Sequence, residues 1–297
     1  MGAIETPASL SSQLRFMPIP GAPFGVEVNG IRWGRPDAET VRLLTMALRR
    51  HLLILFRGQP SPSEDELDEF FRGFGRLVLD TEDGKFHYKK HLDREGPASA
   101  LMKENRHNIQ RAADNTGSTY YQPSEYGASE LIWHTDQAHK PQLKLLSCLE
   151  AIDFEPNAVP TQFRDMYTAY EMLPREWRSE LEFRQLAFYD PRLPGPEEQP
   201  RLSDSQHALF IQHPQTGRRA LFANDSADRI IGLDRADSDR WLEKLFEHTA
   251  LNAPHYTHHW TSGDLIIWDN IGLHHRRDAV PPNQRRRLRQ HGGISET

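Results

Sequence analysis

Trp133-His134-Thr135-Asp136 is the stretch on which the reading of this chain turns. On an extended backbone the side chains at i and i+2 leave the same face. His134 and Asp136 can therefore reach one point together. A neutral imidazole and a carboxylate supply two of the three protein ligands of a 2-His-1-carboxylate facial iron site. The pair predicts a third ligand, a distant His on a neighbouring strand.

Late in the chain, Asp264-Leu-Ile-Ile-Trp268 has the apolar run and the length of a core strand. Asp269-Asn270, then His274-His275, then a run of arginines follow it. Either histidine meets the demand for a third ligand. Their distance in sequence from Asp136 suits a barrel, in which remote strands face each other.

Composition narrows the alternatives. The 297 residues suffice for a sizeable core, and all-β units of this length occur as one domain. A net charge of −6 argues against a general nucleic-acid or anionic-membrane binder. Cys148 is the one cysteine, so an intramolecular disulfide is impossible and a reducing compartment fits. No apolar run is long enough for a membrane span, and the N-terminus lacks a signal-peptide pattern. The expectation is a cytoplasmic protein whose partner is a small-molecule substrate. Composition carries no information on oligomeric state.

Outward from the central stretch, the N-terminal side reads as a loose arm over 1–22 followed by one domain over 23–297. Gly25 to Gly30 alternates as a short strand. Pro36-Asp37 opens a helix with Val41, Leu44 and Leu48 on one face. Leu52 to Phe56 is a strand buried on both faces. Ser63 and Glu66 form a capping box for a helix bearing Leu67, Phe70, Phe71 and Phe74. Over 77–126 the apolar periodicity fades, and the segment is expected to include a lid over the site. Within it, Tyr120 and Tyr121 are the candidate substrate contacts. After Asp136 come a strand over Leu143 to Ile152, a turn over Asn157 to Thr161, and a helix through Met166, Tyr167 and Tyr170. Tyr189 to Asp204 reads as a Pro-rich loop. Leu209 to His213 and Ala220 to Ala223 make a hairpin. Asp237 and Ser238 are the expected caps of a helix through Trp241 and Leu245. His255 to Trp260 reads as a strand rather than a zinc motif.

Trp133-His134-Thr135-Asp136, with Trp268-Asp269-Asn270 and a following His, resembles the taurine and 2,4-dichlorophenoxyacetate dioxygenase family. The resemblance implies a mainly β fold with flanking helices, a distorted double-stranded β-helix or jelly roll. It implies Fe(II) as the metal, with 2-oxoglutarate and O2 as cosubstrates. The family pattern places the ligand His four variable residues after W-D-N, which selects His275, with His274 the runner-up. An arginine eleven residues further on gives Arg286, or Arg287 if the loop carries an extra residue. Thr161 matches the family threonine beside that arginine. Three departures from the pattern stand out. Ala158-Val159-Pro160 replaces G-G-D, Ile271 replaces the Arg after W-D-N, and Gln290 replaces the last Arg, so Gln290 is expected at the substrate.

His134, Asp136 and His275 are thus expected to hold the metal, and Thr161 and Arg286 the far carboxylate of 2-oxoglutarate. The implied reaction hydroxylates an unactivated C–H of a small organic acid, amino-acid derivative or natural-product intermediate, with release of succinate and CO2. The retained Asp136 argues against halogenation. Two other readings compete. A zinc hydrolase could use the same triad, although it has no need of a dicarboxylate clamp. A silent binding protein on the same scaffold would turn over no cosubstrate.

Overall fold

The structure, a computed structural model, describes residues 13–77, 130–189, 202–281 and 284–295. Its frame is two sheets laid face to face. The larger draws on β1 (Arg15–Pro18), β2 (Val26–Asn29), β3 (Leu53–Phe56), β4 (Arg76–Leu77), β6 (Leu146–Phe154), β14 (Leu265–Asp269) and β16 (Arg286–Ser295). Their order is β1-β2-β3-β14-β6-β16-β4. The smaller has the order β13-β7-β15-β5, from His255–His258, Thr161–Asp165, Leu273–Arg277 and Leu131–His134. Only β2 and β3 run parallel within these two sheets. The arrangement is a jelly roll with open edges, as the sequence implies.

The apolar runs of β3 and β14 are buried on both sides because these strands separate two cores. Leu53, Leu55, Ile266 and Trp268 face inward, toward Phe163 and Leu273 of the small sheet. Ile54, Phe56, Leu265 and Ile267 face outward, against Leu44, Leu48, Phe70 and Phe71. Those last four come from α1 (Ala38–His51) and α2 (Glu64–Arg72). Each helix starts where its sequence says. The Asp37 carboxylate accepts from the Thr40 amide, and Ser63 and Glu66 close the expected capping box. The α1 C-cap is Leu52, left-handed at φ 65°, so β3 begins one residue later than expected.

Between β7 and β13 the chain builds a flanking layer. It contains α3 (Met166–Glu171), α4 (Arg175–Leu181), β8 (Gln185–Tyr189), β9 (Leu202–Ala208), the hairpin β10–β11 (Phe210–Gln212, Arg219–Leu221), β12 (Ala227–Ile230) and α5 (Arg235–Asn252). Tyr167, Phe188, Phe222 and Leu245 carry the inner core through this layer.

Several boundaries differ from expectation. Arg15–Pro18, read as part of a loose arm, pairs antiparallel with β2. Helix α5 is capped by Asp234, whose carboxylate accepts from the Asp237 amide at 2.8 Å. Ser238 is instead buried, and its hydroxyl accepts from the Ile230 amide at 2.8 Å, tying α5 to β12. The loop read over Tyr189 to Asp204 ends in strand, since Tyr189 pairs with Leu202. Residues 78–129, which hold most of the expected lid with Tyr120 and Tyr121, lie outside the described residues, as do 190–201.

Candidate metal centre

Strands β5 and β15 are neighbours, and their register sets His134 opposite His275. The two rings lie 4.1 Å apart between centroids. Asp136 follows the end of β5 and turns its carboxylate toward both. Its Oδ1 is 3.9 Å from His134 Nε2 and 3.5 Å from His275 Nε2. One donor atom from each of the three residues falls within 4.8 Å of the others, a spacing that can hold a metal ion. The i/i+2 logic brings His134 and Asp136 together, although Asp136 sits in a turn rather than on the strand. His274 points to the opposite face of β15 and does not join the group.

The surroundings fix how each ligand is presented. The Nδ1–H of His134 donates to the Ile132 carbonyl at 2.8 Å, which leaves the Nε2 lone pair facing Asp136. His275 is held by packing between Trp268, 4.9 Å away, and Phe163, 6.1 Å away. Burial, with His134 adding to it, lowers the His275 pKa to about 3 against the pull of Asp136, so its imidazole is neutral. Burial alone would raise the Asp136 carboxyl. His275, Lys144, His134 and the Ser147 hydroxyl outweigh it, and the carboxylate stays ionised. Ser147 and Gln290 both donate to Asp136 Oδ2, at 2.7 and 3.2 Å, leaving Oδ1 for a metal. Gln290, expected at the substrate, thus rests against the ligand carboxylate.

The W-D-N residues serve the backbone. Asn270 accepts from the Asp136 amide and donates to the carbonyls of Asp136 and Lys144, each at 3.1 Å. Asp269 Oδ1 accepts from the amides of Ile271 and Gly272, and its Oδ2 accepts from the Tyr167 hydroxyl at 2.7 Å. The turn leading into His275 is therefore pinned at both carboxylate oxygens.

Further along the same inner face lie Thr161 and Arg286. Arg286 Nη2 donates to Thr161 Oγ1 at 3.1 Å, and Nε to the Val159 carbonyl at 2.9 Å. Trp260 Nε1 also donates to Thr161 Oγ1, at 2.9 Å. With both acceptor positions of that oxygen engaged, the Thr161 proton is left to be donated. Arg286 is 9% exposed, and no carboxylate among the described residues lies within ion-pair distance of it. Burial, and then the cation of Arg277, presses its pKa down to about 9. A buried cation held only by neutral oxygens is costly, by several kcal/mol in typical cases. The site therefore fits an incoming carboxylate, with a free hydroxyl proton beside it. Arg286 reaches Thr161, and the backbone of Arg287 pairs with Asp153.

Sequence reading missed Ser147, Tyr167 and Trp260. A serine inside an apolar strand was the available signal for Ser147.

The model of the family described as taurine catabolism dioxygenase TauD, TfdA family matches residues 15–291. Pentalenolactone F synthase of Streptomyces avermitilis is 30% identical, with 92% of this chain and 91% of that protein covered. The alpha-ketoglutarate-dependent 2,4-dichlorophenoxyacetate dioxygenase of Cupriavidus pinatubonensis is 28% identical, with 90% and 92% covered. Among solved structures, AAD-2 in complex with Mn(II) and N-oxalylglycine superposes with a TM-score of 0.70 at 21% identity, covering 96% of this chain and 97% of that one. No helix among the described residues is long and apolar enough to cross a membrane.

Proposed function

The chain belongs to the TauD, TfdA dioxygenase family, and from that premise we propose that it hydroxylates an unactivated C–H of a small organic acid, amino-acid derivative or natural-product intermediate. It is a 2-oxoglutarate-dependent dioxygenase that uses Fe(II) and O2, which removes the hydrolase and silent-scaffold alternatives. One observation carries the assignment of roles. His134, Asp136 and His275 converge on one point, and a buried guanidinium beside a free hydroxyl proton stands on the same face.

When bound, Fe(II), 2-oxoglutarate and O2 supply the oxidising power, with succinate and CO2 as coproducts. The rest is the work of the chain. His134, Asp136 and His275 would hold the metal, which in such a three-ligand site keeps positions free for cosubstrate and oxygen. Ser147 and Gln290 keep Asp136 Oδ2 occupied, which orients Oδ1. Arg286 offers a planar, charged fork to the far carboxylate, and Thr161 donates its proton to the same group. Holding the far carboxylate would orient the cosubstrate toward the residues that would hold the metal. Trp268 and Phe163 wall the His275 side with apolar surface and exclude water there.

The test is a screen for substrate-dependent succinate release under O2. It would use small organic acids, 2,4-dichlorophenoxyacetate, amino-acid derivatives and natural-product intermediates. Products formed under labelled O2 should carry one labelled oxygen. A product two hydrogens lighter without label would replace hydroxylation by desaturation. Release of succinate that no compound stimulates would sink the proposed substrate classes.

A further inference from the structure

Behind the metal centre, on the other face of the small sheet, a buried guanidinium has one edge empty. Arg164 on β7 is 5% exposed, and its Nε and Nη2 are buried without a hydrogen-bond partner. Those two atoms form the edge that grips a carboxylate with parallel bonds. Arg57 uses the same pair on Asp264, at 2.8 and 2.6 Å. The register sets His274 of β15 directly opposite Arg164. Side chains so placed have Cβ atoms about 5 Å apart. His274 is fully buried, and neither of its ring nitrogens has a partner. The Trp133 ring centroid lies 4.3 Å from the Arg164 guanidinium carbon, a cation–π contact that supplies no lone pair to the empty edge. Asp225 acts on Arg164 only through space, and its Oδ2 accepts from the Trp133 amide at 3.1 Å. Burial presses the Arg164 pKa down to about 10 against the pull of Asp225, and the cation of Arg276 adds to the fall.

We propose that this place is a second anion site, which takes a small carboxylate with its two oxygens on Nε and Nη2 of Arg164 and an N–H of His274 beside them. Buried polar groups are nearly always satisfied by protein, water or an ion. Water would meet the donors and leave the charge unpaired, and an unpaired cation out of water is costly. A carboxylate meets both demands. Its planar pair of oxygens matches the fork, as a spherical halide does not. In either protonation state His274 has at least one N–H to give. The fork and both ring nitrogens are shut off from solvent, so the ligand is of the size of formate or acetate. The site is separate from the Arg286 pocket, because Arg164 and His274 stand on the face of the sheet away from His275.

The experiment is thermal unfolding of the Mn(II)-loaded full chain while formate is titrated at constant ionic strength, with N-oxalylglycine in excess to fill the Arg286 pocket. Formate bound to the folded chain should raise the melting temperature along a saturating curve, from which its Kd is read. Arg164→Met should abolish the rise, and Arg286→Met should retain it. Arg164→Lys keeps the charge and loses the fork, so it should weaken formate by 10-fold or more. If Arg164→Met does not fold, the lysine variant decides the matter. The absence of a saturable rise in the wild type, or an equal rise in folded Arg164→Met, would overturn the proposal and leave water at the fork. Undiminished affinity in Arg164→Lys would overturn it as well. A rise lost in Arg286→Met would assign the anion to the cosubstrate pocket, and the second site would fail.

Discussion

Arg286 is the residue whose loss should be most informative. Removing a hydrogen bond to a charged group costs about 1.5–3 kcal/mol, so Arg286→Ala should raise the 2-oxoglutarate requirement roughly 10-fold or more. Steady-state kinetics with varied 2-oxoglutarate measure this. An unchanged requirement in Arg286→Ala, with a raised one in Arg287→Ala, would shift the register by one residue. Ser147 is a subtler case, because it touches the metal only through Asp136 Oδ2. Loss of such a partner typically costs about 10–100-fold in metal affinity. Ser147→Ala should therefore weaken Mn(II) binding by that order in an equilibrium titration, and an unchanged affinity would show that Gln290 alone suffices. The chemistry-bearing residues were readable because each has a distinctive type and spacing. Ser147 was not, and Gln290 was expected at a different contact, because a serine and a glutamine acquire their roles only from the oxygen they happen to face.

Among the elements, the turn from β14 to β15 controls the approach to His275. A Cβ at Gly272 would stand 2.1 Å from Tyr167 Cε2, and Tyr167 is fully buried. Gly272→Ala must displace the ring that bonds Asp269. Overpacking of this kind costs about 1–3 kcal/mol, so the melting temperature and the Mn(II) affinity should fall together. At the far end of β14, Asp264 takes a bidentate bond from Arg57 at 2.6–2.8 Å, with His258 at 3.1 Å and the Thr261 amide at 2.9 Å. Burial would raise its pKa, but these partners pull it down to about 2 from an ordinary 3.8. A depressed carboxylate stabilises the fold above its unfolded pKa and loses that contribution as pH falls through the folded value. Roughly 2 kcal/mol should therefore disappear from about pH 4 downward to pH 2. Urea unfolding across that range should show the gap between wild type and Asp264→Asn closing as pH falls. A gap independent of pH would contradict this account.

For the whole molecule, the metal is a cross-link between elements remote in sequence. His134 ends β5, Asp136 lies in the turn after it, and His275 is on β15. Binding that requires the folded arrangement stabilises it by mass action, about 2.7 kcal/mol when free metal is 100 times its Kd. Mn(II) should raise the melting temperature of the intact chain, and a chelator should reverse the shift. His275→Ala should abolish the shift. A shift of equal size in that variant would place the stabilising metal elsewhere.

The sequence alone determined the periodicities, the two N-terminal helix caps, the double burial of β3, the core strand β14, and the W-H-T-D and W-D-N landmarks. These are local: they depend on which residues alternate, cap or repeat, and the family resemblance needs no more. Register and side-chain direction were decided by the tertiary structure. His275 rather than His274 faces Asp136 because β15 pairs in one phase with β7 and β5. A strand's faces are distinguished only by what packs on each, and that is a property of the assembled sheets.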